Sequence, residues 1–142
     1  MSMLPRNAGD HLRRVTGNPK SVRVLVVDDN PDLRAFICTA LERAGFETAV
    51  AGDGECALAL QNRQPADVLI TDIYMPELDG LELIQQFKAR FPRTQIVAMS
   101  GGGTVAHADF LHVAAEIGAE AVLRKPFATE TLVKTVQGLA AR

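Results

Sequence analysis

The chain contains no tryptophan, one tyrosine and only two cysteines among 142 residues. Cys38 and Cys56 have the spacing of neither a metal-binding pair nor a redox pair, so a disulfide scaffold is excluded and reduced thiols are expected. No apolar run approaches the ~20 residues that a membrane-crossing helix needs. The opening MSMLPRNAGDHLRRVTG lacks the apolar centre of a secretory signal, and a cytoplasmic protein is expected. An excess of positive charge is missing as well: the formal net charge is −2, with residues 1–21 carrying +3 and the rest −5. An acidic body of this kind argues against nucleic acid as the main partner. Nor is there a ready-made nucleotide cradle, because GGGT at 101–104 lacks the lysine of a phosphate-binding loop and no GxGxxG occurs. Internal repeats and low-complexity tracts are absent.

What remains is an average globular composition, 47% hydrophobic and 23% charged, in a length that suits one domain with a real core. Residues 1–21 scatter Pro5, Gly9, Gly17 and Pro19 among polar residues and read as a flexible N-terminal extension; residues 22–142 read as the domain. Within it, VRVLVV (22–27), ADVLIT (66–71), TQIVAM (94–99) and EAVL (120–123) are almost continuously apolar and β-rich, as strands covered on both faces should be. FETAV (46–50) is a weaker fifth strand. Between them, Leu33, Phe36, Ile37, Ala40, Leu41 and Ala44 repeat on one side of a helix that Asn30 and Pro31 begin and Gly45 ends. Four more helices are expected over residues 54–61, 81–91, 110–117 and 130–140. Five successive strand–helix units predict an α/β fold with a parallel sheet and helices on both faces.

In such sheets ligands gather beyond the carboxyl ends of the strands. There the sequence places Asp28 and Asp29 after the first strand, Asp72 after the third, Ser100 after the fourth, and Arg124 and Lys125 after the fifth. Converging carboxylates repel one another, and a hard divalent cation with oxygen ligands relieves that repulsion, Mg²⁺ being the natural choice. A cation and an ammonium beside a carboxylate and a hydroxyl suit phosphoryl transfer to the carboxylate. Asp72 is the candidate nucleophile, because it stands alone on the middle strand and leaves the adjacent pair to hold metal.

VLVVDDNPDLR, DVLITDIYMPELDGLELI, Ser100 and VLRKPF, in this order, resemble the receiver domain of two-component response regulators over residues 22 to about 140. The resemblance implies a flavodoxin-like (βα)5 doubly wound sheet of strand order 2-1-3-4-5. It implies that Asp72 accepts a phosphoryl group from a histidine kinase or a histidine phosphotransfer protein. Asp28, Asp29, Asp72 and the backbone carbonyl of Tyr74 would hold Mg²⁺, Lys125 would pair with Asp72 or its phosphate, and Ser100 would contact the phosphate. The Lys125–Pro126 bond would be cis. A downstream protein target, or a weak dimer, would use the face made by the fourth helix, fifth strand and fifth helix, with Glu120, Arg124 and Lys134 as exposed candidates. No membrane and no direct nucleic acid contact is implied.

Two departures from the family pattern stand out. Val122 occupies the place of the usual aromatic switch, and SGGGTVAHADF lengthens the segment before Lys125. Three consecutive glycines lose much conformational entropy on ordering, so this loop is expected either to order on phosphorylation or to form an inert turn. His107 and His112, five apart, share no helix face and read as surface or loop residues. Because the sequence stops soon after the fifth helix, a stand-alone receiver is expected, acting as an effector or as a relay or phosphate sink. Haloacid-dehalogenase-like phosphatases use similar groups, but their DxD is missing here: two beyond Asp28 stands Asn30, and two beyond Asp29 stands Pro31.

Overall fold

A computed structural model describes residues 21–74, 79–101 and 112–141. Residues 1–20, including nearly all of the expected extension, and residues 102–111, including most of the glycine loop and His107, lie outside the described residues. Five strands, β1 (Arg23–Val27), β2 (Glu47–Ala51), β3 (Val68–Asp72), β4 (Gln95–Ser100) and β5 (Ala121–Arg124), form one sheet in the order β2-β1-β3-β4-β5. Every neighbouring pair is parallel. Helices α1 (Pro31–Arg43), α2 (Gly54–Arg63), α3 (Gly80–Arg90), α4 (described over residues 112–116) and α5 (Thr129–Ala140) connect and follow the strands.

Alternation along the strands divides the core in two. Leu25, Val27, Leu69, Ile96 and Ala98 meet Ala57, Leu83, Ile84, Phe87 and Ala114 from α2, α3 and α4 on one face. Val24, Val26, Val68, Ile70, Val97 and Met99 meet Ile37, Leu41, Leu132 and Val136 from α1 and α5 on the other. Successive strand side chains point to opposite faces, so a strand buried on both has to be apolar throughout. That requirement is met along most of the inner strands β1, β3 and β4, the buried polar Thr71, Asp72 and Ser100 falling at their rim ends, whereas Thr48, Ala49 and Val50 of the edge strand β2 are only partly covered or exposed.

Three helices, α1, α2 and α3, begin where a short polar side chain meets their first free N–H groups, whereas α5 follows Ala128 without a side-chain cap. Asn30 accepts hydrogen bonds from the amides of Asp32 and Leu33, Asp53 from Cys56, and Asp79 from Glu82. Gly45, at φ +97°, follows α1 where a side chain would be strained. The expected apolar stripe of α1 is narrower than its spacing predicts: Ile37, Ala40 and Leu41 are buried, but Phe36 is 44% exposed. No described helix is long and apolar enough to cross a membrane.

Candidate functional site

With β3 central, the strand order brings the residues ending β1, β3, β4 and β5 to one rim. Asp72 is the last residue of β3 and is only 6% exposed. Burial pushes its carboxyl above the ordinary value; the Lys125 ammonium opposes that rise, the Asp28 charge adds to it, and the Tyr74 N–H also opposes it. That N–H donates to Asp72 Oδ1 at 3.3 Å. One carboxylate oxygen each from Asp28, Asp29 and Asp72 lies within 4.8 Å of those of the other two.

Asp28 is the anchored member of the trio, 1% exposed, with its polar atoms engaged. Its N–H donates to Ala51 O at 3.2 Å, and its carbonyl accepts from Arg34 Nη1 at 2.8 Å. Its Oδ1 accepts the Asn30 N–H at 2.8 Å, and its Oδ2 accepts from Lys125 Nζ at 2.9 Å. Asp29 is exposed. The two adjacent aspartates thus differ sharply, one held inside and one turned to solvent.

Lys125 was expected to pair with Asp72 or its phosphate, and an ion pair with Asp72 is present. Its ammonium lies closer still to Asp28, at 2.9 Å, than to Asp72 Oδ2, at 3.5 Å, and so bridges the two carboxylates. The backbone holds it there, since Lys125 N–H donates to Ser100 O at 2.7 Å and the Lys125–Pro126 bond is cis as anticipated. Ser100, ending β4, is fully buried, and its hydroxyl has no hydrogen-bond partner among the described residues. A buried hydroxyl left unmatched costs about 1–3 kcal/mol.

Several contributors escaped the sequence reading. Thr71, fully buried, donates from Oγ1 to the Asp72 carbonyl at 2.9 Å. Gly80 opens α3 so close to β3 that a Cβ there would collide with the Asp72 carbonyl oxygen and Ile73 Cα. The DG pair in PELDGLELI was its only signal. Arg34, which reaches the Asp28 carbonyl, was not singled out, since it stands neither at a strand end nor in the apolar stripe of α1.

The supposed exposed candidates divide as well. Arg124 and Lys134 are exposed, but Glu120 is half-buried, accepting from Lys88 Nζ with one oxygen and from the Ile96 N–H with the other at 2.7 Å. Val122 is 42% exposed on β5. His112 is exposed, with Nε2 3.1 Å from Glu116.

Among the described residues, three carboxylates stand against a single shared ammonium, an all-oxygen donor set that fits Mg²⁺ better than a softer metal. The family model described as the response regulator receiver domain matches residues 24–137. The chain is 34% identical over 116 residues to the response regulator receiver protein CpdR of Brucella abortus, covering 81% of this chain and 93% of CpdR. It is 30% identical over 131 residues to the probable transcriptional regulatory protein TcrX of Mycobacterium tuberculosis, covering 92% of this chain but 54% of TcrX. The chain therefore spans about half the length of that longer relative. Among solved structures, the receiver domain of NtrX from Brucella abortus superposes with a TM-score of 0.79 at 31% identity, over 83% of this chain and 98% of that one. The chemotaxis protein CheY4 of Vibrio cholerae gives 0.75 at 31% identity, over 84% and 98%.

Proposed function

The chain belongs to the response regulator receiver domain family, and from that premise we propose that Asp72 accepts a phosphoryl group from a histidine kinase or a histidine phosphotransfer protein. The observation that carries this reading is the gathering of Asp72, Asp28, Asp29, Lys125 and the buried Ser100 hydroxyl on one rim. An Asp72 carboxylate oxygen attacks phosphorus in line, the new bond being O–P and the broken bond that to the donor's leaving group. Asp28, Asp29, Asp72 and the Tyr74 carbonyl would hold Mg²⁺, which supplies neutralisation of the phosphate oxygens. Lys125, already within reach of Asp72, turns its ammonium to a phosphate oxygen, and the Ser100 hydroxyl donates to another. Membership in the receiver family leaves the haloacid-dehalogenase-like alternative without support.

Intact-mass measurement after incubation with Mg²⁺ and a small phosphodonor tests the reading. The wild type gains one phosphoryl group and Asp72→Asn gains none. No gain on the wild type, or an equal gain on the variant, sinks it.

Output through a protein target on the α4, β5 and α5 face is the effector form of this proposal, with Arg124 and Lys134 exposed there. Val122 favours the relay or sink form, because an exposed β-branched side chain has no ring to swing between two rotamers. Phosphorylation-dependent capture of a target supports the effector; rapid transfer onward to a histidine phosphotransfer protein supports the relay.

A further inference from the structure

We propose that Arg34 is a positioning residue for the metal carboxylates, acting through the peptide unit that joins Asp28 to Asp29. This rests on the metal site proposed above. Arg34 lies in the second turn of α1, where its N–H donates to Asn30 O at 3.1 Å and so fixes the start of its side chain. From there the side chain runs back towards the end of β1, and Nη1 donates to the Asp28 carbonyl at 2.8 Å. That carbonyl and the Asp29 nitrogen belong to one planar unit, so holding the first orients the second.

Asp28 has other restraints, from Ala51, Asn30 and Lys125. Asp29 has none on its carboxylate among the described residues, yet one of its oxygens belongs to the acidic trio. Its aim is therefore set by the backbone behind it, and Arg34 is what grips that backbone. The guanidinium is itself confined: a Cβ on Gly52 would lie 3.4 Å from Nη1, so the group packs against the turn between β2 and α2. A planar, permanently charged fork suits this task, since it donates without a rotamer search or a change of protonation.

Charge and positioning predict opposite results, which makes the assignment decidable. A guanidinium beside a cation site repels the incoming ion, so an influence through charge alone would give tighter Mg²⁺ binding when Arg34 is neutralised. Positioning gives the reverse: loss of the grip weakens binding on the order of 10–100-fold, the usual effect of removing a group that orients metal ligands. The experiment is calorimetric titration with Mg²⁺ of the wild type, R34A and R34M, beside thermal unfolding of each in chelator. R34M keeps the apolar stem and decides the matter should R34A fail to fold. Weaker binding with metal-free stability close to wild type supports the proposal, since a purely structural role would lower stability and leave the affinity of the folded protein alone. Unchanged or tighter binding overturns it. Wild-type protein that takes up no Mg²⁺ overturns the metal site itself, whereas a binding wild type with an equally binding R34M overturns only Arg34's part.

Discussion

Asp72 sits in an environment that resists its own charge. Burial outweighs the help from Lys125, and the carboxyl stays above its ordinary value. Folding then favours the protonated form, so the metal-free domain loses stability as pH rises from below the unfolded-state pKa through the folded-state one. Asp72→Asn removes that loss. Urea unfolding in chelator at neutral pH and at mildly acidic pH is expected to find the variant at least as stable as wild type at neutrality, with the gap narrowing on acidification; a variant less stable at neutral pH and equal in acid would contradict this. At this scale the sequence was informative about identity and poor about partners. Asp28, Asp29, Asp72, Ser100 and Lys125 were legible because their types and strand-end positions are themselves the signal. That Lys125 leans to Asp28, or that Arg34 reaches a carbonyl on β1, depends on where long side chains run after folding, which no spacing encodes.

Helix α3 shows how an element, and not a side chain, can shape a site. Its first residue, Gly80, lies against the carbonyl of Asp72, and Gly80 N–H donates to Ile73 O at 3.3 Å. Phe87 and Leu83, fully buried beneath the sheet, hold the helix there. Gly80→Ala must therefore move α3 or the end of β3, and overpacking of that kind costs about 1–3 kcal/mol. Chemical denaturation is expected to show that loss, with phosphoryl uptake at Asp72 falling in the surviving folded protein. Wild-type stability together with wild-type uptake would refute it. Most elements were legible because their periods are unmixed, the inner strands apolar up to their rim ends and α3 apolar on one side. Strand β2 was the faint one, since an edge strand with one thinly covered face has less apolar pattern to display. The stripe assigned to α1 overreached at Phe36, because periodicity reports which residues share a side of the helix but not how far the neighbouring layer extends over it.

Across the whole molecule, metal and stability should be linked. Any ligand that binds the folded chain alone raises its stability, by about 2.7 kcal/mol at a free concentration one hundred times the Kd. Thermal unfolding is expected to shift upward with added Mg²⁺ and not with added monovalent salt. Asp29→Ala should abolish most of the shift while leaving the metal-free protein no less stable, since it removes one of three mutually repelling charges. An undiminished Mg²⁺ shift in that variant, or a large loss of metal-free stability, would count against the site. Sheet order and the two-sided core followed from five successive strand–helix units and the family resemblance, while the division of each strand's side chains between two separate clusters became visible only once the register was set.

The parallel sheet also governs how the chain arrives at this state. No two neighbouring strands can meet through a tight turn; each pairing waits for a helix to be laid down between them, and the amide of Arg23 finds the Asp67 carboxylate 44 residues along the chain. Loop closure must be endured before such distant contacts reward it, so folding should run slower than in helical bundles of equal length, with β1 and β3 the last reasonable place to expect an early, local nucleus.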